Sequence, residues 1–362
     1  MATESLERYA RQLPIIGLEG QKKLSQARVL IVGAGGLGNI VAPYLVAAGL
    51  GELCIADHDK VERSNLQRQI YFDESMLGKN KAQCLQERLQ ALNPTVRVEA
   101  WPVRLDDSFS STMLGSFDAI VDASDNYPTR YVLNAFSHRL GTPLIAAALY
   151  QMEGQLSVFN YQSGPCYQCL YPSPPEENLI PNCAMGGILG ATAGMFGALQ
   201  AVEVIKVIGD MPGVLSGHLL TANLSNHHYQ RLRINRAENC QELHGDMPIL
   251  PRATKMAIPS IQVKALQTVL QRKPEAIQLL DVREDYEREI CSIGGIAIPL
   301  GTLPHRLAEL DATKKTICYC KSGTRSQQAA RLLKQQGFAH VFSLEGGILQ
   351  WIAEIDPQMT RY

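Results

Sequence analysis

A glycine-rich segment near the start of the chain limits the folds that this sequence can adopt. Residues 33–38 read Gly-Ala-Gly-Gly-Leu-Gly, directly after the apolar run Val-Leu-Ile-Val and at the start of a helical pattern. Glycines at this spacing let the backbone turn tightly and approach a phosphate at a helix N-terminus. Asp57 follows the next apolar run, where a carboxylate can accept hydrogen bonds from ribose hydroxyls. Strand, loop, helix and acid in this order predict a nucleotide site.

Short β-branched runs alternate with helical stretches from residue 28 to residue 147, which predicts a parallel sheet with crossover helices. A loop rich in Cys and Pro over residues 164–183 and a long apolar helix ending at Ile208 follow. The fold class is therefore α/β, with a Rossmann-like, mostly parallel sheet. Prolines without a sustained period then predict a linker over residues 244–258. It separates a first domain, residues 1–243, from a smaller α/β domain, residues 259–362.

Composition excludes several function classes. Of 362 residues, 46% are hydrophobic and 19% charged, which is typical of a globular protein. The 34 Lys and Arg residues nearly balance 35 Asp and Glu residues, so no global field attracts nucleic acid or a membrane. The uncharged stretch over residues 185–202 is rich in glycine and is expected to be a buried helix. The N-terminus does not resemble a secretory signal, so we expect a cytoplasmic protein.

Cations and acids that suit a triphosphate lie along the first domain. Arg8 and Arg11 precede the glycine loop, Arg68 and Lys81 follow Asp57, and Asp125 follows a later apolar run. Nucleotidyl transfer needs cations to neutralise the triphosphate and a carboxylate to hold Mg²⁺. Each residue alone is typical of a protein surface, but the set favours phosphate chemistry over hydride transfer.

Residues 1 to about 240 resemble the MoeB/ThiF family of adenylyltransferases, which are relatives of ubiquitin-activating enzymes. The resemblance rests on Arg-Tyr-x-Arg-Gln at residues 8–12, the glycine loop, Asp-His-Asp at 57–59, residues 64–69, Asp125-Asn126, and Glu-Gly-Gln at 153–155. It implies that ATP reacts with the C-terminal Gly-Gly carboxylate of a small ubiquitin-like sulfur carrier. The products would be an acyl-adenylate and pyrophosphate.

The resemblance also implies roles for individual residues. Asp57 would bind the ribose, Arg68 and Lys81 the phosphates, and Asp125 the Mg²⁺. Arg11 would reach into the partner subunit's site of a homodimer. The remaining residues assigned to the ATP site are Gly33, Gly35, Gly36, Gly38 and Asn65.

Three cysteines of the first domain have the pattern of a metal site. Cys166 and Cys169 form one half of a four-thiolate zinc site. The family has a second Cys-x-x-Cys pair, but here Cys240 is followed by Leu243 in the fourth position. His244 could substitute as the fourth ligand, since three Cys and one His is an accepted structural set. Zinc and a metal-free remnant with buried thiols both stay open at this point.

Cys183 follows a proline-rich loop and precedes a helix whose dipole would favour a thiolate. It matches the position of the family's transferable cysteine, which accepts the activated carboxylate or the sulfur. The alternative is a small core residue.

The second domain contains a candidate nucleophile in Cys320-Lys321-Ser322-Gly323-Thr324-Arg325. A thiol at a strand end, followed by a tight loop and a helix, forms an anion-binding nest. Together with Lys321, Gly323 and Arg325 it would stabilise a thiolate or persulfide at Cys320. Residues 259–355 as a whole resemble a single rhodanese domain.

The two resemblances together imply two successive reactions on one carrier protein. Adenylation makes the carrier's carboxylate electrophilic, and a persulfide donor supplies sulfur through Cys320, which gives a protein thiocarboxylate. Molybdopterin, thiolated tRNA, thiamine and cysteine pathways all use such carriers, and the sequence does not choose between them. The alternatives are an NAD-dependent oxidoreductase and a non-enzymatic scaffold that binds ubiquitin-like proteins.

Overall fold

The computed structural model describes residues 7–105, 117–174, 187–240 and 258–362. The chain divides into two compact units between residues 251 and 252. The predicted linker lies almost entirely outside the described residues, so the domain boundaries at 243 and 259 stay predictions.

The first unit is built on an eight-stranded sheet in the order β3-β2-β1-β4-β5-β6-β7-β8. Strands β1 to β5 pair in parallel, whereas β6, β7 and β8 add in antiparallel fashion. The strands are β1 (Arg28–Val32), β2 (Glu52–Ala56), β3 (Arg97–Trp101), β4 (Ala119–Asp122), β5 (Leu144–Tyr150), β6 (Glu153–Phe159), β7 (His218–Asn223) and β8 (His228–Arg233).

Helices cover both faces of this sheet. Side chains of β1 alternate between two apolar cores, with Val29 and Ile31 in one and Leu30 and Val32 in the other. The helices are α1 (Leu13–Gln26, kinked at Gly17), α2 (Gly38–Ala47), α3 (Lys81–Leu92), α4 (Tyr127–Leu140), α5 (Tyr167–Leu170) and α6 (Gly190–Ile208), with short 3-10 turns at Arg63–Asn65 and Glu74–Met76. A mostly parallel sheet covered on both faces confirms the predicted fold class.

Helix α6 is the one described helix that is long and apolar enough to cross a membrane by length and composition. In the structure Thr192, Phe196 and Val204 on this helix are buried. The Gln200 side chain donates hydrogen bonds to the carbonyls of Asp122 and Ile145 at 2.8 and 3.2 Å. These contacts tie α6 to the sheet as a core helix, as the sequence predicts.

The second unit has a five-stranded parallel sheet in the order β11-β10-β12-β13-β9. Its strands are β9 (Ser260–Ile261), β10 (Ile277–Asp281), β11 (Ile296–Ala297), β12 (Lys315–Tyr319) and β13 (Val341–Leu344). Its helices are α7 (Val263–Arg272), α8 (Asp285–Ile290), α9 (Thr324–Gln335) and α10 (Gly347–Glu354), with 3-10 turns at Pro274–Ala276, Leu303–His305 and Leu307–Glu309. Buried β12 leads directly into Cys320, as predicted.

Candidate active sites

The glycine loop lies where the strand order of the first sheet reverses. Strand β1 has β2 on one side and β4 on the other, and ligands of open α/β sheets bind beyond the carboxyl ends of strands at such a point. Gly33 has φ +103°, and a Cβ there would stand 2.6 Å from the Ala123 carbonyl oxygen. A Cβ on Gly38 would stand 1.9 Å from the Gly33 carbonyl oxygen. The loop therefore needs glycine at both ends.

The Asp57 carboxylate is fixed beside this loop. Its Oδ2 accepts a hydrogen bond from the Ala34 amide at 2.7 Å, and its Oδ1 accepts one from the Asp59 amide at 2.8 Å. The side chain is almost fully buried. Each carboxylate oxygen has two acceptor sites, so the amides leave capacity for ribose hydroxyls.

Lys81 is the first residue of α3, and its Nζ lies 3.0 Å from Asp59 Oδ2. Asn80 caps α3 by accepting the Gln83 amide and also donates to the Asp57 carbonyl at 3.0 Å. The cap therefore holds the lysine beside the end of β2. Sequence reasoning found Lys81 but missed its ion-pair partner Asp59.

Arg68 lies against the glycine loop. Its Cγ and Cδ are 3.8 Å from the position of a Cβ on Gly36, and its Nη1 donates to the Ser64 carbonyl at 2.9 Å. Buried Asn65 closes the preceding turn by accepting the Glu62 amide at 3.1 Å. This brings a guanidinium to the place where the loop would hold phosphates.

Asp125 follows β4 at the same edge of the sheet and is exposed. The Asn126 amide caps α4 by accepting the Thr129 N–H at 3.0 Å and lies 3.4 Å from Asp125 Oδ1. Beneath them Asp122 is fully buried, with its Oδ2 3.7 Å from Arg130 Nε, and burial raises the pKa of Asp122. An exposed carboxylate here suits Mg²⁺, which prefers oxygen ligands.

Arg11 belongs to a segment anchored far from its own glycine loop. Gln12 Nε2 donates to the Ala48 carbonyl at 2.8 Å, at the end of α2 opposite to Gly38. Helix α2 has 10 residues, which corresponds to about 15 Å. Arg11 itself is exposed.

Cys183 lies outside the described residues, and so does His244. Gly190, among the first described residues after Cys183, lies beside Gln67 and Arg68. A Cβ on Gly190 would stand 2.4 Å from the Gln67 carbonyl oxygen and 3.2 Å from Arg68 Cα.

The three cysteines with a metal-site pattern come together in space. The Cys166 and Cys169 sulfurs are 3.7 Å apart, and the Cys169 and Cys240 sulfurs are 3.4 Å apart. The Ala237 amide donates to Cys169 Sγ at 3.3 Å. Burial raises the pKa values of Cys166 and Cys240. Burial also acts to raise the pKa of Cys169, but hydrogen bonds from Ala237 and Cys166 lower it overall.

A histidine that the sequence did not single out joins these cysteines. His138, in the last turn of α4, has its Nε2 3.6 Å from Cys240 Sγ. No sequence motif links it to Cys166 or Cys240, so only the fold reveals the contact.

In the second unit, Cys320 lies at the end of β12, and its side chain is buried. Its sulfur accepts hydrogen bonds from the amides of Gly323 and Ser326 at 3.2 and 3.3 Å. Helix α10 contacts the loop, since the Ile348 amide donates a hydrogen bond to the Cys320 carbonyl at 2.8 Å. Two amides aimed at one sulfur form the predicted anion nest.

The cations of this loop have partners that sequence reasoning missed. Arg325 makes a two-pronged ion pair with Glu287 at 2.5 and 2.7 Å, and the Tyr362 hydroxyl donates to the same carboxylate at 3.0 Å. Lys321 Nζ lies 4.7 Å from the centre of the Tyr362 ring. Backbone amides, rather than these two cations, contact the Cys320 sulfur in this structure.

Family models match both units. The ThiF family model matches residues 9–242, and the model of the rhodanese-like domain matches residues 264–354.

Two relatives of this chain match different shares of it. A sulfur carrier protein adenylyltransferase from Thermus thermophilus is 45% identical over 68% of this chain and 93% of its own length. The adenylyltransferase and sulfurtransferase MOCS3 of Xenopus laevis is 36% identical over 98% of this chain and 88% of its own length.

Among solved structures, Escherichia coli MccB covers 68% of this chain and 74% of its own chain, with a TM-score of 0.60 and 22% identity. At that identity the match shows likeness of fold.

Proposed function

This chain belongs to the ThiF family and also contains a rhodanese-like domain. We propose that its two sites act in succession on one carrier protein. It is an adenylyltransferase and a sulfurtransferase that acts on a sulfur carrier protein. The observation that carries this function is the match of both units to a relative with both activities. An oxidoreductase or a non-enzymatic scaffold receives no support from these matches.

Adenylation uses the edge of the first sheet. A carboxylate oxygen of the carrier's terminal glycine attacks the α-phosphorus of ATP, the bond between the α- and β-phosphates breaks, and pyrophosphate leaves. Asp57 would hold the ribose, while Arg68, Lys81 and the amides of the glycine loop would balance phosphate charge.

Magnesium suits the exposed Asp125 carboxylate. When bound, the ion neutralises the triphosphate and the departing pyrophosphate. Asp59 would keep Lys81 oriented, since the ion pair holds Nζ at 3.0 Å.

Sulfur transfer uses the nest around Cys320. A persulfide donor protein, or thiosulfate, would load sulfur onto Cys320, and the amides of Gly323 and Ser326 favour the anionic form. The terminal persulfide sulfur then attacks the acyl carbon of the adenylate, and AMP leaves. A second thiol must attack Cys320 Sγ to release the thiocarboxylate, which leaves a disulfide between the two cysteines. Cys183 is our candidate for that thiol.

The enzyme is proposed to work as a homodimer in the cytoplasm. Arg11 is exposed, and its neighbour Gln12 is anchored at the Ala48 end of α2, about 15 Å along the helix from Gly38, which supports a role for Arg11 in a partner's site. None of the described cysteines is in a disulfide, which is typical of a reducing compartment.

Structural zinc is proposed at Cys166, Cys169 and Cys240. Sulfur separations of 3.4 and 3.7 Å leave room for one tetrahedral ion, and the donors are those that zinc prefers. The metal would tie the loop around α5 to the segment after β8 and would take no part in the reaction.

Pyrophosphate exchange into ATP tests the adenylation site. With a carrier ending in Gly-Gly, the Asp125→Asn variant should lose at least about 100-fold of the exchange rate, because the triphosphate charge is no longer compensated. Asp210→Asn is the matched control, since Asp210 lies in an exposed ion pair with Lys23 and should keep full activity.

Mixing variants tests the dimer in the same assay. Arg11→Ala and Asp125→Asn should each be inactive alone. In an equimolar mixture after subunit exchange, half of the dimers should be mixed and have one complete site, so the mixture should regain about a quarter of the normal activity. Undiminished exchange by Asp125→Asn would contradict the assignment of the metal-binding acid, and a mixture without regained activity would contradict the shared site.

A further inference from the structure

Helix α4 brings an imidazole to the thiol cluster of the first unit. Cys240 Sγ lies 3.4 Å from Cys169 Sγ and 3.6 Å from His138 Nε2. The donor atoms of His138, Cys166 and Cys240 all lie within 4.8 Å of one another. From this geometry we infer that His138 is the fourth zinc ligand of this chain, in place of the thiolate that Leu243 does not provide.

Three of the six separations among the four donor atoms match those around one tetrahedral ion. With zinc–sulfur bonds of about 2.3 Å and zinc–nitrogen bonds of about 2.0 Å, neighbouring sulfurs lie about 3.8 Å apart and a sulfur and a nitrogen about 3.5 Å apart. The observed values of 3.7 Å and 3.4 Å between sulfurs and 3.6 Å between sulfur and nitrogen are close to these. A disulfide needs about 2.05 Å between sulfurs, so none of these contacts is one.

Polar contacts of α4 fix the histidine at this place. Asn134, one turn before His138, is fully buried; its Oδ1 accepts the Tyr167 amide at 2.9 Å, and its Nδ2 donates to Gln168 at 2.9 Å. Tyr167 and Gln168 are the two residues between Cys166 and Cys169. Residues four apart lie on the same face of a helix, so docking Asn134 onto this loop also presents His138 to the thiols.

The end of α4 is fixed as well. The helix ends at Gly141, whose φ is +65°, and Ser137 Oγ donates to the Thr142 carbonyl at 2.5 Å. Asn160 donates to the same hydroxyl at 2.8 Å. The last turn, with His138, is therefore fixed by hydrogen bonds of Ser137 to Thr142 and Asn160.

The inference rests on the proposed zinc site and deepens it by naming the ligand set. Metal analysis of the freshly purified full chain tests it, together with visible spectra after exchange of the metal for Co²⁺. His138→Ala should weaken zinc binding by more than about 100-fold, because even groups that only hydrogen-bond to a ligand contribute 10- to 100-fold. Its melting temperature should fall along with its zinc content, since structural zinc is coupled to folding.

Two further variants separate ligation from a general loss of fold. His138→Cys should restore zinc and shift the cobalt bands to those of a four-sulfur site, which a merely structural role for His138 would not produce. His244→Ala is the matched control and should keep the zinc content and the spectrum of the unchanged protein.

Two results would overturn the inference. The first is full zinc and an unchanged cobalt spectrum in His138→Ala, with loss of both in His244→Ala, which would make His244 the ligand. The second is a freshly purified chain without zinc, which would remove the metal site itself. Pyrophosphate exchange reports separately on the proposed function, so its failure is distinguishable from either result.

Discussion

At the scale of single residues, sequence spacing predicted those residues whose identity is dictated by the local backbone geometry. Gly33 and Gly38 are required by contacts within one strand–loop–helix unit, and such local contacts leave a pattern in the sequence. His138 left no such pattern, and the Asp-His-Asp motif at residues 57–59 did not indicate that Asp59 pairs with Lys81. Their partners Cys240 and Lys81 are distant in the chain, and only the completed fold brings each pair together.

Gly33→Ala should abolish ATP binding, and Gly78→Ala should not. Both glycines have positive φ, +103° and +80°, so a side chain costs about 1–2 kcal/mol at either position. Only at Gly33 does the new Cβ also meet a backbone carbonyl, at 2.6 Å, whereas nothing lies within 4 Å at Gly78. Titration with ATP and a thermal melt of each variant check this. Equal ATP affinity in the two variants would show that the loop does not hold the phosphates.

At the scale of elements, the strands and helices were predicted closely because apolar periodicity reflects burial on the sheet. The sequence predicted a strand directly before the glycine loop and a long apolar helix ending at Ile208, and the structure has β1 and α6 there. Ion pairs between side chains of different elements were harder to predict from the sequence. Arg325 on α9 was predicted to stabilise an anion at Cys320, but its ion pair with Glu287 of α8 was not predicted.

The Glu287–Arg325 pair should make the second unit sensitive to acid. Burial acts to raise the pKa of Glu287, but the hydrogen bonds and charge of Arg325 outweigh it and hold the pKa below its ordinary value of 4.5. The pair therefore contributes stability above about pH 4.5, and this contribution is lost as the pH falls through the lowered pKa.

Glu287→Gln should accordingly lower the free energy of unfolding at pH 7 by about 3 kcal/mol, since Arg325 is left buried without its countercharge. The difference from the unchanged protein should shrink below pH 4.5. Fluorescence of Trp351 in a Trp101→Phe background reports on the second unit, because the chain has 2 tryptophans. Glu289→Gln, an exposed change on the same helix, is the control. A difference that stays constant with pH would contradict the ion-pair account.

At the scale of the whole molecule, two family resemblances in one chain predicted a combined function that neither unit has alone. The fold class is confirmed by the structure, and both activities are confirmed by the family matches together with the relative that is named for both activities. The course of the chain between the units could not be predicted, because residues 244–258 have neither a sustained hydrophobic period nor a motif.

The central claim is that sulfur reaches the carrier through Cys320. The most direct measurement is the intact mass of the carrier after incubation with ATP and thiosulfate or a persulfide donor. Cys320→Ala should keep pyrophosphate exchange but form no thiocarboxylate and transfer no sulfur from thiosulfate to cyanide. Cys183→Ala should slow thiocarboxylate formation and leave transfer to cyanide intact. We predict a carrier of unchanged mass, with oxygen retained, in the Cys320→Ala reaction; normal gain of sulfur there would contradict the claim that the rhodanese-like domain is the donor.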